Sequence, residues 1–206
     1  RNPLVAIGGF AKRLKKKFPD SPEGDIILRE SQRLEKILRR IMEYLRPMEF
    51  TCEYCSVNGI LTECLELLGP DMDHRSAKSR VKLASSLSPV YMDKDILAQI
   101  FTGLILNALK EMDMGDTLHM RTFESRGNVN IEFKNRSPKM KGEGVDRIFM
   151  PFGEGYRGTA LPLSSRSLRQ MGGFLSYSQE PNEMIFTVSL PTRSKPVSEN
   201  AKATIS

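Results

Sequence analysis

Tryptophan is missing from the 206-residue sequence, cysteine occurs only three times, and no apolar run approaches the length of a membrane span. A span needs roughly 18 or more apolar residues, and no signal peptide is visible, so we expect a cytoplasmic chain. The composition, 39% hydrophobic and 27% charged, is typical of a soluble globular protein with room for one or two domains. It excludes a collagen-like chain, a small disulfide scaffold and a wholly disordered chain.

The three cysteines do not predict a cofactor site. Cys52 and Cys55 form a C-x-x-C pair, and Cys64 stands alone. A zinc site needs further ligands, and neither a second C-x-x-C nor a paired histidine follows. A redox C-x-x-C usually opens a helix, whereas the surrounding FTCEYCSV is typical of a strand. We therefore expect three reduced thiols.

The net charge of +6 is confined to the first part of the chain. Residues 1–47 hold 12 basic and 6 acidic side chains, whereas residues 48–206 hold 19 of each. A basic helical segment can meet nucleic acid, a membrane surface or an acidic protein partner, or it can be a solvated helix face. No aromatic stacking platform or recognition helix accompanies this segment, so we do not expect a nucleic-acid partner.

Two apolar stripes with heptad spacing predict a helical hairpin over residues 1–47. The first helix has Leu4, Ile7, Ala11, Leu14 and Phe18 at alternating spacings of three and four. A turn at residues 19–22 follows, and a second helix runs from about Glu23 to Leu45, with Ile27, Leu34, Leu38, Ile41 and Leu45 on one stripe. We expect the hairpin to pair with a second copy in a dimeric four-helix bundle. The alternative is that the stripes pack on a second domain of the same chain.

Arg46-Pro47 marks a domain boundary, and a mixture of short strands and helices follows it. We predict strands over residues 50–56, 80–85, 90–92, 118–123, 129–133, 174–178 and 185–190. We predict helices from a capping Asn58 to Leu68, over 95–112 and over 166–171, with polar loops at 71–78 and 136–144. This order predicts an α+β sandwich over residues 48–191, with helices on one face of a mixed sheet. Residues 192–206 are polar, and we expect a disordered tail.

Four short motifs occur in an order that resembles the core of sensor histidine kinases. Arg1-Asn2-Pro3-Leu4 resembles the second half of the H-box, and DKDILAQIFTGLILNALKEM resembles the N-box. Residues 147–152 are similar to the F-box, and residues 158–163 to the Gly-Thr-Gly-Leu-Gly-Leu box. The resemblance extends from residue 1 to about residue 191. Each motif alone is weak, but four in order behind a heptad hairpin are a specific signal.

The resemblance implies a dimerisation and phosphotransfer hairpin followed by an ATP-binding domain of the GHKL type, an α/β sandwich. It implies ATP and Mg²⁺ as cofactors, a homodimer formed through residues 1–47, and a response regulator receiver domain as partner. The basic hairpin suits the acidic phosphorylation site of such a regulator. The phosphoacceptor histidine would lie three residues before Arg1. We therefore expect a longer parent protein, with a sensor region upstream that associates with a membrane.

Three site residues for nucleotide and metal follow from the resemblance. Asn107 in the N-box is the expected Mg²⁺ ligand, because an amide oxygen is a hard ligand. Lys110, one turn later, occupies a position that contacts phosphate in some members of the family. Asn135 is expected to accept a hydrogen bond from the adenine amino group, in place of an aspartate.

Four further site residues lie outside that segment. Arg157, Gly158 and Thr159 are expected to contact phosphates at a helix start, where backbone N–H groups favour anions. Asn2 lies four residues after the expected phosphoacceptor, hence one turn along the same helix face. The resemblance makes Asn2 the catalytic residue that orients water when the regulator is dephosphorylated.

The nucleotide motifs also depart from the family pattern. Gly103 replaces a family asparagine, Ser137 and Lys139 replace both glycines of the adenine loop, and Ala160 and Pro162 replace two glycines of the last motif. Pro162 also removes an N–H donor. Two functions therefore stay open: a kinase core that binds ATP weakly and exchanges phosphoryl groups, or a catalytically inactive pseudokinase. The inactive form would serve as a phosphotransfer, regulator-phosphatase or docking scaffold.

Overall fold

The computed structural model describes residues 3–19, 22–137 and 160–192. The described residues divide after Pro47 into two compact units. Asn2, the motif residues 147–159, most of the predicted 136–144 loop and the tail from residue 193 lie outside the described residues. No helix among the described residues is both long enough and apolar enough to cross a membrane.

The first unit is a helical hairpin of α1 (Pro3–Lys17) and α2 (Pro22–Leu45), so both predicted helices are confirmed. Pro22 opens α2, where a proline costs no hydrogen bond, and Glu23 and Asp25 in its first turn favour the positive end of the helix dipole. The side chain of Lys15 pairs with that of Asp25 across the turn. Ala11 is buried between the two helices.

Most of the apolar stripe of the hairpin stays exposed in the single chain. Phe18, Leu34 and Leu45 each keep half or more of their surface accessible. An apolar groove on the hairpin is lined by Ile7, Phe10, Ala11, Leu14 and Ile27, flanked by two basic side chains. A row of exposed large apolar residues on one element is typical of a surface that is covered in an assembly.

The second unit combines two sheets with four described helices. The helices are α3 (Val57–Leu67), α4 (Gly69–His74), α5 (Lys94–Glu111) and α6 (Ala160–Gln170). The strands are β1 (Cys52–Cys55), β2 (Lys78–Lys82), β3 (Val90–Asp93), β4 (Thr117–Ser125), β5 (Asn128–Arg136), β6 (Phe174–Glu180) and β7 (Glu183–Pro191).

The larger sheet has the strand order β2-β4-β5-β7-β6, and β1 and β3 form a separate antiparallel pair. The β2-β4 pair is parallel and the other three are antiparallel, which confirms the predicted mixed sheet. Residues in β7 alternate between buried and half-exposed, so one sheet face is apolar and the other meets solvent. β2, at one edge, is exposed along its whole length. Arg126 and Gly127, both at positive φ, form the turn between β4 and β5.

Helix α5 fills the space between the apolar face of the sheet and helices α3 and α6. Eight of its residues are buried, more than a single amphipathic face would supply. The Phe101 ring packs on Phe133 of β5 with centroids 5.9 Å apart. Asp93 begins the helix: one carboxylate oxygen accepts the Ile96 N–H at 3.0 Å, and the other accepts the Thr51 N–H at 2.8 Å. One buried side chain thus caps α5 and holds the chain just before β1.

Three local predictions were wrong at helix ends. Ser56, not Asn58, caps α3, and its hydroxyl accepts the Gly59 N–H. Gly69-Pro70 opens the short helix α4, because proline is compatible with a first helical turn. A polar loop was predicted over residues 71–78, so His74 is the last residue of a helix and does not lie in a loop. Helix α6 begins at Ala160 and not at residue 166.

Asn58 has a different role from the predicted cap. Its amide nitrogen donates to the Ala84 carbonyl at 2.9 Å, and its amide oxygen accepts the Thr122 hydroxyl at 2.9 Å. The same hydroxyl accepts the Ala84 N–H at 3.0 Å. This network joins α3, the segment after β2 and the apolar face of β4, where Thr122 is buried.

Replacing Thr122 with valine tests this network. Thr122→Val keeps the shape of the side chain but leaves the Ala84 N–H and the Asn58 amide oxygen without their partner, so we expect unfolding free energy to fall by about 1–3 kcal/mol. Urea unfolding followed by circular dichroism measures the change. The control is Thr187→Val on the solvent face of β7, which should stay within about 0.5 kcal/mol of wild type. Equal effects of the two substitutions would contradict the role of the network.

Candidate functional site

The elements that carry Asn107, Lys110 and Asn135 reach the same end of the larger sheet. The chain leaves α5 and enters β4 at Thr117 within a few residues, so the end of α5 and the start of β4 lie close together. β5 runs antiparallel to β4, and its last residues pair with the first residues of β4, with His119 opposite Lys134. The end of β5, which carries Asn135, therefore lies at the same end of the sheet as the end of α5, whose last turns carry Asn107 and Lys110.

The last turns of α5 present an amide, a cation and a carboxylate. Asn107 is half-buried, Lys110 is exposed and Glu111 is buried. Residues three and four positions apart on a helix are surface neighbours, so Lys110 and Glu111 both lie next to Asn107. Gly103 lies one turn before Asn107 and has no side chain. Asn107 therefore supplies the amide of this surface.

The end of β5 contributes two buried polar side chains. Asn135 is 2% exposed, and its amide nitrogen donates to the Arg136 carbonyl at 2.9 Å. Its amide oxygen is thereby oriented as an acceptor. Ser137 is 3% exposed, and its backbone N–H donates to the Asn182 carbonyl at 2.9 Å in the turn between β6 and β7. Among the described residues, the Ser137 hydroxyl has no hydrogen-bond partner.

Helix α6 brings its N-terminus to the same end of the sheet. After Gln170 the chain turns through Gly172, at a φ of +85°, and reverses into β6. Gly173 permits this reversal, because a Cβ there would lie 3.1 Å from Leu190 and 3.2 Å from the Ser189 carbonyl oxygen. The start of α6 thus lies near the end of β6 and the start of β7, where Met184 pairs with Asn135.

Pro162 lies in the first turn of α6 and is buried. The first four N–H groups of a helix have no partner inside the helix, so a proline there breaks no helical hydrogen bond. The other N–H groups of the turn stay available to an anion. The departure of Pro162 from the family pattern therefore removes one donor and leaves the helix start intact.

Three of the predicted site residues, Asn107, Lys110 and Asn135, thus belong to elements that reach the same end of the larger sheet. The predicted residues Asn2, Arg157, Gly158 and Thr159 lie outside the described residues. The arrangement fits a magnesium nucleotide: an amide oxygen suits a hard cation, while a lysine and a helix N-terminus suit phosphate. A buried acceptor beside an unpaired hydroxyl suits a nucleobase.

Sequence reasoning missed two residues that support this site. Asp93, which caps α5, was placed just outside the helix, although an aspartate before a periodic apolar run is a recognisable cap. Ser137 was considered only as a lost glycine, because no sequence pattern reports that a hydroxyl becomes buried without a partner.

The comparisons identify the class of protein that this fold and site define. The family described as "Histidine kinase-, DNA gyrase B-, and HSP90-like ATPase" matches residues 92–194, half of the chain. The chain belongs to this family. Because the family consists of ATPases, membership implies that the domain binds ATP.

Relatives that match along nearly the whole chain are named as kinases. The chain is 28% identical over 200 residues to the sensor histidine kinase ZraS of Salmonella typhimurium, covering 93% of this chain and 43% of that protein. It is 26% identical over 204 residues to sporulation kinase C of Bacillus subtilis, covering 94% and 47%. The chain therefore spans less than half the length of these relatives.

Solved structures share the fold. The Acinetobacter baumannii histidine kinase AdeS matches with a TM-score of 0.63 at 18% identity, over 93% of this chain and 96% of that one. The histidine kinase ThkA, solved in complex with the response regulator protein TrrA, matches with a TM-score of 0.67 at 23% identity, over 94% and 58%. These matches support the α/β fold of the ATPase domain.

The three cysteines lie away from this site and are free thiols. Cys55 and Cys64 are buried and donate weakly to the carbonyls of Val90 and Ala98. Burial raises the pKa of both thiols above the ordinary value, and burial together with the Asp93 carboxylate raises the pKa of Cys52. Across residues 3–19, 22–137 and 160–192, no group of three or more His, Cys, Asp or Glu side chains is arranged to hold a metal.

Iodoacetamide labelling tests this view of the thiols. We expect Cys52, which is half-buried, to react first, with Cys55 and Cys64 reacting only when the protein unfolds. Because only the thiolate reacts and the native pKa is raised, the rate at Cys52 should still climb between about pH 9 and pH 10, where an ordinary thiol levels off. Mass spectrometry of labelled peptides gives each rate, and the urea-unfolded protein is the control. Equally fast labelling of Cys55 in the native protein would contradict the prediction.

Proposed function

We propose that this chain is the catalytic core of a sensor histidine kinase, which binds ATP with Mg²⁺ and exchanges phosphoryl groups with a response regulator receiver domain. The observation that carries the proposal is the match of residues 92–194 to the ATPase family. It is supported by the elements that carry Asn107, Lys110 and Asn135, which reach the same end of the sheet. The similarity to sensor kinases along nearly the whole chain supports the same function.

Each residue has a proposed role toward the nucleotide. The Asn107 amide oxygen would hold Mg²⁺, and the Lys110 ammonium would contact phosphate as a point charge. The Asn135 oxygen would accept the adenine amino group. The start of α6, with Arg157, Gly158 and Thr159 before it in the chain, would bind the phosphates. When bound, ATP supplies the phosphoryl group, and these residues position the nucleotide.

The hairpin is proposed to join two copies of the chain through residues 1–47 as a four-helix bundle. The exposed rows on α1 and α2 support this, because their spacing matches helix-into-helix packing and an isolated hairpin leaves them in water. Its basic surface would meet the regulator, and Asn2 would orient the water that removes phosphate from it. ThkA, solved in complex with a response regulator, supports this kind of partner.

The parent protein is proposed to carry a sensor region in addition to this core. The sensor histidine kinase ZraS and sporulation kinase C are each more than twice as long as the segment matched here. Association of the parent protein with a membrane through such a region is part of this proposal.

Calorimetry with a non-hydrolysable ATP analogue tests the nucleotide site. We expect binding that depends on Mg²⁺, and Asn107→Ala should weaken it by about ten- to a hundredfold, since it removes an interaction with a charged centre. The matched control is Gln99→Ala, which truncates an exposed amide on the same helix and should leave the affinity unchanged.

Two results would contradict the kinase proposal. Absence of heat at millimolar analogue, with the protein folded by circular dichroism, would favour the inactive scaffold instead. Equal losses in Asn107→Ala and Gln99→Ala would mean that the nucleotide does not contact Asn107.

Analytical ultracentrifugation tests the dimer. Leu34→Glu places a charge within the exposed apolar row of α2, and burying an unpaired charge is costly, so we expect the dimer to dissociate at least about tenfold more readily. Gln32→Glu introduces the same charge at an exposed polar position of α2 and should leave the dimer intact. A monomeric wild-type protein, or equal dissociation of both variants, would overturn the proposed interface.

A further inference from the structure

The Ser137 hydroxyl is buried without a hydrogen-bond partner among the described residues. Ser137 is only 3% exposed. A buried polar group that has lost its water and gained no partner destabilises the folded protein, so such groups are rare in folded proteins. A ligand that pairs with the hydroxyl would remove this cost.

The position of Ser137 is fixed by its backbone. The Ser137 N–H donates to the Asn182 carbonyl at 2.9 Å, and Pro138 follows in the sequence, which favours an extended conformation at the residue before it. In an extended chain, alternate side chains share a face. Ser137 and Asn135 are both buried while Arg136 between them is exposed, so both polar side chains lie on the face that packs on α5.

The two side chains offer complementary hydrogen-bonding atoms. The Asn135 amide nitrogen is engaged by the Arg136 carbonyl at 2.9 Å, so the amide oxygen is the atom left to accept. A serine hydroxyl can donate one hydrogen bond. An acceptor and a donor therefore lie two residues apart on the same face at the end of β5.

Adenine presents the reverse pattern on its Watson–Crick edge, where the amino group at C6 donates and the neighbouring ring nitrogen N1 accepts. We propose that the Ser137 hydroxyl donates to N1 of the adenine while the Asn135 oxygen accepts from the amino group, which makes Ser137 a specificity-determining residue. This inference rests on the proposed function, because it assumes that ATP occupies the site. Guanine, with an acceptor at C6 and a donor at N1, would face the Asn135 oxygen with a second acceptor and bind poorly.

The proposal predicts effects of opposite sign in the free and bound protein. Ser137→Ala removes an unpaired hydroxyl from the free protein, so its melting temperature should rise by about 2–4 °C. The same substitution removes a hydrogen bond to the nucleotide, so the affinity for ATP should fall about three- to tenfold. A hydroxyl with a purely structural role would not produce both changes.

The experiment is calorimetry with ATP and with 1-deaza-ATP, in which a C–H group replaces N1, on the full chain. Wild type should bind 1-deaza-ATP about three- to tenfold more weakly than ATP. Ser137→Ala should bind both nucleotides with equal, reduced affinity, because the partner of N1 is already gone. The control Ser176→Ala removes a hydroxyl that donates to the Thr187 carbonyl on β7, and it should behave as wild type.

The outcomes separate this inference from the proposed function. If wild type binds no ATP, both fail together. If wild type binds ATP, two results would overturn only the role of Ser137. One is that Ser137→Ala binds ATP as tightly as wild type. The other is that the affinity of Ser137→Ala falls from ATP to 1-deaza-ATP by the same factor as that of wild type. An unchanged or lower melting temperature of Ser137→Ala would mean that the hydroxyl has a partner in the free protein, and this too would overturn that role.

Discussion

Burial of helix α5 is the constraint on which the second unit depends. The helix lies between the apolar face of the sheet and two other helices, so its buried side chains form the centre of the core. Asp93 fixes where the helix begins, and the Phe101–Phe133 contact fixes its position on β5. Because the chain passes from α5 into β4 within a few residues, the same packing places the end of α5, with Asn107 and Lys110, at the end of the sheet where β5 also ends. The site is therefore a consequence of core packing.

The polar residues of the site interrupt the patterns that build this core. Asn135 and Ser137 continue the buried side of β5 after Phe133, where further apolar residues would extend the core. Glu111 is likewise buried in the last turn of α5. Polar groups placed where packing favours apolar ones reduce stability, and they are expected where a protein binds a ligand. These buried polar residues are therefore consistent with the binding site proposed at this end of the sheet.

Periodicity predicted most of the fold, because α5 and the strands on either side of Arg126-Gly127 have strong, regular patterns. Helix ends were less predictable, since Gly69-Pro70 can either stop a helix or begin one, and only packing decides. Motif resemblance predicted nucleotide roles for Asn107 and Asn135, and these roles stay predictions. It gave no warning of the unpaired hydroxyl at Ser137, because burial and hydrogen-bond partners depend on distant residues such as Asn182, which meets Ser137 only after the sheet forms.

The edge strand β2 has a consequence for self-association. Within the part of the chain that the structure describes, β2 pairs only with β4, and open strand edges can template unwanted strand addition and aggregation. Lys78, Arg80 and Lys82 alternate along β2, and all five of its residues are exposed, so a second copy approaching this edge would bring like charges together. The strand is also short, which limits the hydrogen bonds that a mispaired copy would gain. We therefore expect the charge on β2 to disfavour pairing of two copies at this edge during folding and at high concentration.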